Sequence, residues 1–165
     1  MSIIWSKYGA SENLNYKIRY PVVLQNITYN GLEQSPNFIG YNENKLIAEG
    51  SLSGVNAGIY KVSFTPINGY TWMDGGVYAY EIEWQILQAV IAYPTASIKS
   101  FEYNGLEQSP IWINYDDKTM LIGGTISALN VGKYFTTFAP KNNYIWENFI
   151  ELIYESFTHH LCGYQ

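Results

Sequence analysis

The sequence predicts an all-β chain of two tandem antiparallel β-sandwich domains that arose by internal duplication. Three observations carry that expectation: a surplus of strand-forming aromatic residues, apolar residues that alternate instead of recurring at helical spacing, and a long internal repeat. The 165 residues include 16 Tyr, 7 Phe and 5 Trp, whereas charged residues make up only 14 %. Soluble domains carry about 25 % charge, so aromatic side chains here occupy places usually given to charge. Such side chains suit a half-buried pleated surface. With 47 % of residues hydrophobic, the chain can build a packed core.

The repeat is the strongest signal. Tyr29-Asn30-Gly31-Leu32-Glu33-Gln34-Ser35-Pro36 recurs letter for letter as Tyr103-Asn104-Gly105-Leu106-Glu107-Gln108-Ser109-Pro110, 74 positions later. That offset holds without a gap from Tyr29/Tyr103 to Trp72/Trp146, with 20 identities over 44 positions. Upstream, Ile18-Arg19-Tyr20-Pro21 matches Ile91-Ala92-Tyr93-Pro94 at an offset of 73, so one residue was gained or lost before the octet. The chain therefore reads as an N-terminal arm (1–17), a first repeat (18–90) and a second repeat (91–165) with a divergent C-terminal strand. Each repeat lies near the lower limit of independently foldable size.

Within a copy, the apolar pattern has the period of a strand. Ile59, Lys61 and Ser63 oppose Tyr60, Val62 and Phe64, and Tyr78, Tyr80, Ile82, Trp84 and Ile86 form a row of period two. Turn residues punctuate these runs at Asn30-Gly31, Asn42-Glu43-Asn44, Asn56-Ala57-Gly58, Asn68-Gly69 and Asp74-Gly75-Gly76. The junction, Trp84-Gln85-Ile86-Leu87-Gln88-Ala89-Val90-Ile91, contains no Gly, Pro or Ser. A strand of the first copy is expected to pass almost directly into the second, giving a semi-rigid rod.

Asn56-Ala57-Gly58-Ile59-Tyr60-Lys61-Val62 resembles the Asp-x-Gly-x-Tyr-x-Cys run of immunoglobulin domains, with Val62 in the cysteine position. The second copy reads Asn130-Val131-Gly132-Lys133-Tyr134-Phe135-Thr136. The expectation is a structural tyrosine corner at Gly58 and Tyr60 and again at Gly132 and Tyr134. A positive φ at Gly58 would shape the turn, and the tyrosine hydroxyl would reach back to backbone. Together with Tyr-Asn-Gly and Gly69-Tyr70-Thr71-Trp72, this run resembles the repeated Ig-like modules of YDG or MBG type. Those modules occur in surface proteins and phage virion proteins of Gram-positive and gut bacteria. The resemblance covers residues 18 to about 150 and implies multi-copy, outward-facing β-sandwich modules acting as stalks or adhesive units. One departure is that the second copy reads Glu147-Asn148-Phe149 in place of Asp74-Gly75-Gly76. Its last strand scarcely matches Glu81-Ile82-Glu83-Trp84, as expected of a capping terminal repeat.

Charge narrows the function classes. The net charge is -5 and no basic stripe is visible, which argues against nucleic acid, whose binding requires cations that displace counterions. Anionic membrane surfaces are disfavoured on the same ground. No run reaches the roughly 18 apolar residues of a membrane span, so no membrane insertion is expected. Met1-Ser2-Ile3-Ile4-Trp5-Ser6-Lys7 lacks the pattern of a signal peptide, which suggests a protein made without Sec export or an excised piece.

Candidate chemistry is sparse. His159-His160 with Cys162 falls short of the roughly four ligands of a closed zinc site, and the chain holds no further His or Cys. Asp116-Asp117 and Glu43 read as solvated turn carboxylates and not as a calcium cage. Glu33 and Glu107 occupy matching repeat positions, which does not make a glycosidase pair. No catalytic residues, metal or cofactor are therefore assigned.

The remaining candidates are the ligand-binding aromatics Tyr70, Trp72, Tyr144 and Trp146, beside the turns at Asn68-Gly69 and Asn142-Asn143. Such rings give rigid amphipathic contact surface for a sugar or a protein, or cap the core beneath a hairpin. The leading expectation is a non-enzymatic Ig-like structural or adhesion protein at a virion or extracellular surface, with a protein or glycan partner. The alternatives are a carbohydrate-binding module and a cytoplasmic binding or inhibitor protein encoded by a mobile element. Homo-oligomerisation through the N-terminal arm, by adding a strand to a neighbour's sheet, is a further expectation.

Overall fold

The computed structural model describes residues 15–147. Among them are twelve strands and no helix, so the chain is all-β. The predicted His159, His160 and Cys162, the arm up to residue 14 and the divergent last strand lie outside the described residues. The chain divides into two compact units. The first comprises the residues up to Asn26 with Glu33–Gly54 and Ile59–Gln85. The second comprises Ile27–Leu32, Val55–Gly58 and the residues from Ile86 onward.

The first unit is built on β3 (Leu46–Gly50) and β4 (Gly58–Pro66), an antiparallel pair with Leu46 opposite Pro66 and Gly50 opposite Val62. β6 (Tyr80–Leu87) lies on the other side of β4 in the same sheet. Alternation decides what is buried. Val62, Phe64 and Pro66 turn inward from β4, and Trp84 and Ile86 turn inward from β6. Phe64 and Trp72 are fully buried, and Leu46, Val62 and Trp84 nearly so. Each such side chain contributes about 1.5–3 kcal/mol by leaving water. Phe38 joins them edge-on, 5.6 Å from Phe64 and 6.3 Å from Trp84. Both buried indoles are satisfied: Trp84 Nε1 donates to the Ser51 carbonyl at 2.8 Å and Trp72 Nε1 to the Tyr78 carbonyl at 2.8 Å. An indole N–H left unpaired in such a core would cost about 1–3 kcal/mol.

The second unit repeats this design at the sequence offset. β10 (Met120–Gly124) and β11 (Thr136–Pro140) pair antiparallel with Met120 opposite Pro140 and Gly124 opposite Thr136. Residue for residue, this is the β3–β4 register moved by 74. Where Val62 is buried in the first copy, Thr136 is buried in the second, and its hydroxyl donates to the Thr125 carbonyl at 2.6 Å. β8 (Thr95–Ala96) pairs antiparallel with β9 (Trp112–Ile113). The second core is thinner, since Trp112, Phe138 and Trp146, the counterparts of Phe38, Phe64 and Trp72, are only half-buried.

Not every pairing is antiparallel, and the expectation of purely antiparallel sheets is corrected on this point. β1 (Tyr16–Ile18) runs parallel to β5 (Tyr70–Trp72), with Tyr16 opposite Tyr70 and Ile18 opposite Trp72. β7 (Ala89–Ile91) runs parallel to β12 (Tyr144–Trp146), with Ala89 opposite Tyr144 and Ile91 opposite Trp146. A short strand at the start of each copy thus meets one far along the chain, and partners joined by a long connection instead of a hairpin are free to run parallel. β2 (Ile27–Thr28) also pairs parallel, with Ile86 and Leu87 at the end of β6. Only Gln88 separates β6 from β7.

Candidate functional site

The four predicted aromatics have unequal fates. Trp72 has 0 % exposure. It sits in β5 against the Tyr20 ring at 4.7 Å, so it has no face to offer a ligand, and its assignment as a binding residue is corrected to a core role. Trp146 is half-buried, with one face covered by the Tyr93 ring at 4.6 Å. These two contacts are equivalent, because Tyr20 and Tyr93 belong to the stretch matched at an offset of 73. Tyr70 is half-buried, its ring 5.8 Å from that of Tyr16. Tyr144 is half-buried, and the Tyr29 ring meets it edge-on at 5.4 Å.

The tyrosine-corner residues differ between copies. Tyr134 donates its hydroxyl to the Asn130 carbonyl at 2.9 Å, four residues upstream. The Tyr60 ring stacks on Trp84 at 4.5 Å and 16°, beside Gly54. A Cβ on Gly54 would fall 2.4 Å from the Tyr60 ring, and the second copy carries such a Cβ at Ala128. Tyr134 therefore cannot copy the Tyr60 placement, and its ring lies over Gly132 instead. Gly58 is nearly extended at φ +158°, and Gly132 takes no left-handed conformation.

Sequence reasoning missed a cluster at the Asp74 turn of the first unit. Tyr78 and Tyr20 both donate to Asp74 Oδ2, at 2.6 and 3.0 Å, and Asp74 Oδ1 accepts the Gly76 N–H at 2.8 Å. The Tyr20 and Tyr78 hydroxyl oxygens also lie against each other. The Tyr78 hydroxyl, then the Gly76 N–H, hold the Asp74 carboxyl below its usual range. The same bond, with Tyr20, pushes the Tyr78 phenol well above its ordinary value. The cluster locks a turn in which the Trp72 N–H donates to the Gly76 carbonyl and the Gly75 N–H to the Trp72 carbonyl. Its signal was the Asp-Gly-Gly run itself, read only as a turn.

A concavity with polar and aromatic lining lies inside the second unit. An open groove of about 400 Å³ is lined by Tyr29, Lys118, Leu121, Pro140, Lys141, Asn142, Asn143 and Tyr144. The Lys141 ammonium donates to the Asp117 carbonyl at 2.5 Å, and Gln88 Nε2 donates to the Asn142 and Tyr144 carbonyls at 2.9 and 3.1 Å. Desolvation, then the neighbouring Tyr29, raises the Tyr144 phenol above its ordinary range. Asp116 caps the neighbouring turn by accepting the Lys118 backbone N–H at 2.8 Å. At the offset of 74, Lys118, Lys141 and Asn143 correspond to Asn44, Ile67 and Gly69, so both lysines and the Asn143 amide are particular to the second copy, whereas Asn142 matches Asn68. A second groove, of about 240 Å³, runs in the first unit along Val23, Leu24, Ile59, Glu83 and Trp84.

Among the described residues no group of three or more His, Cys, Asp or Glu side chains is placed to hold a metal ion, and no helix is long and apolar enough to cross a membrane. No protein-family model, curated protein or solved structure matches this chain.

Proposed function

We propose that this chain is a non-enzymatic, repeat-built Ig-like β-sandwich protein that spaces or adheres at a phage virion or bacterial cell surface. The observation that supports this reading best is that duplication reaches down to hydrogen bonds. Leu32 N–H donates to Asn30 Oδ1 as Leu106 N–H does to Asn104 Oδ1, both at 2.9 Å. Ser53 Oγ donates to Glu33 Oε1 at 2.7 Å, and Ser127 Oγ to Glu107 Oε1 at 2.6 Å. The repeated octet thus spends its polar side chains on fastening its own turn, and the repeated carboxylates Glu33 and Glu107 are engaged there. Repetition of a self-supporting unit suits reach and multivalent contact better than chemistry. Surface proteomics tests the location: peptides of this chain should be recovered from intact purified particles or from gently shaved cells. Recovery from cytosol alone contradicts the reading.

The groove favours a second reading, carbohydrate binding. Two aromatic rings beside two ammonium groups and two amides have the make-up of a sugar-recognition surface, apolar faces with a few polar groups to fix orientation. A glycan array should show saturable binding that Lys118→Ala and Asn142→Ala weaken about tenfold or more, a loss of roughly 1.4 kcal/mol. An array with no saturable signal removes this reading and leaves the spacing role standing.

A further inference from the structure

Tyrosines meet one another repeatedly in this protein, and one pair meets differently from the rest. Tyr16 and Tyr70 approach ring against ring at 5.8 Å, and Tyr29 approaches Tyr144 edge-on at 5.4 Å. Tyr20 and Tyr78 meet at their hydroxyls. Both O–H groups donate to one oxygen, Asp74 Oδ2, at 3.0 and 2.6 Å, and the two hydroxyl oxygens lie against each other. Every member of this arrangement is held from elsewhere. The Tyr20 ring packs on the buried Trp72 at 4.7 Å and on Tyr80 at 4.4 Å. The Tyr78 carbonyl accepts Trp72 Nε1, and Asp74 Oδ1 accepts the Gly76 N–H, both at 2.8 Å. Solvent reaches the cluster, since Tyr78 is 50 % exposed and Asp74 is exposed as well.

Oxidative coupling of two tyrosines makes two demands on geometry. In an ortho-linked dityrosine the hydroxyls flank the new carbon–carbon bond, so the phenols must approach hydroxyl to hydroxyl. Each phenol must also release a proton as it loses an electron. A carboxylate already bonded to the O–H is placed to take that proton, and holding both rings in position makes the coupling effectively unimolecular.

We propose that Tyr20 and Tyr78 form an oxidative cross-linking site, joined as dityrosine by hydrogen peroxide acting through a peroxidase. Each phenol gives up one electron and its O–H proton, and Asp74 Oδ2 passes the proton to solvent. The two phenoxyl radicals then couple at ring carbons ortho to oxygen. One carbon–carbon bond forms, and the hydrogens on the joined carbons move as protons to the oxygens and restore both hydroxyls. Peroxide takes up the two electrons and two protons and leaves as two waters. The bond staples the start of the first copy to the Asp74 turn, 58 positions away. With one cysteine the chain has no intramolecular disulfide, and a cross-link over such a span limits the unfolded chain as a disulfide does. The site is particular to the first copy. At the offset of 74, Asp74 and Tyr78 correspond to Asn148 and Leu152, whereas Tyr20 keeps its match in Tyr93.

Treatment of the dilute full chain with hydrogen peroxide and a peroxidase is the test, read by mass spectrometry and by dityrosine fluorescence. The monomer should lose the mass of two hydrogen atoms, and digestion should yield a linked pair of peptides carrying Tyr20 and Tyr78. Tyr78→Phe should abolish that pair, and unchanged tryptophan emission verifies that the variant folds; Tyr20→Phe replaces it if it does not. Asp74→Asn, which removes the proton acceptor, should slow the coupling about tenfold or more, whereas Tyr16→Phe should leave it unchanged. Links that map to Tyr16 and Tyr70 or that form only between chains overturn the proposal, as does a Tyr20–Tyr78 link that forms equally fast in Asp74→Asn.

Discussion

Single residues carry the duplication most exactingly where the backbone is unusual. Gly50 and Gly124 are equivalent, with φ of +106° and +77°. A Cβ there would sit 2.6 Å from the Lys61 carbonyl oxygen or 2.4 Å from that of Phe135. Both strain and collision therefore oppose any other residue, and Gly50→Ala should cost at least about 2 kcal/mol in urea unfolding, taking about 1–2 kcal/mol from the left-handed backbone alone. Asn114, at φ +64°, stands where the first copy has Gly40 at +91°. Asn is the side chain that best tolerates that region, so the substitution preserves the turn. Asp74 makes a pH prediction. Its carboxyl is held below its ordinary value, mainly by the Tyr78 hydroxyl and then the Gly76 N–H. Its stabilisation is therefore present above the unfolded carboxylate value and is lost as pH falls. The melting temperature should drop as the pH is lowered below about 4, and Asp74→Asn, less stable at neutral pH, should show a shallower drop.

At the scale of elements, the two copies keep one register and differ in how well they bury it. Phe64 on β4 has 0 % exposure, whereas its counterpart Phe138 on β11 is half-buried against Trp112 at 4.7 Å. Phe64→Ala should cost about 3–5 kcal/mol, the usual loss for a fully buried ring. Phe138→Ala should cost about half as much, and equal losses in chemical denaturation would contradict the difference in packing. Much of this level was legible in the sequence. The alternation of Tyr60, Val62 and Phe64 named the inward face of β4, and Trp84 and Ile86 that of β6. The parallel pairs were not legible, because period two gives the same signal whichever way a partner runs. For Trp72 the sequence offered both a core-capping and a binding role, and its burial decides for the first. The groove was legible only at Tyr144. Tyr29, Lys118 and Lys141 converge on it from distant sequence positions, and no local pattern announces such a meeting.

For the whole molecule, the account rests on one blueprint used twice. The octet, the left-handed pairs Gly31/Gly105 and Gly50/Gly124, the β3–β4 and β10–β11 ladders and the Tyr20–Trp72 and Tyr93–Trp146 contacts all recur at the offsets read from the sequence. Native-state amide hydrogen exchange followed by NMR tests this most directly, since ladder amides open only with their unit. Protection should appear at matching positions, in Leu46–Gly50 with Val62–Pro66 and again in Met120–Gly124 with Thr136–Pro140, and it should be weaker in the second set. A map with one protected copy and no protection at the equivalent amides of the other would contradict the account.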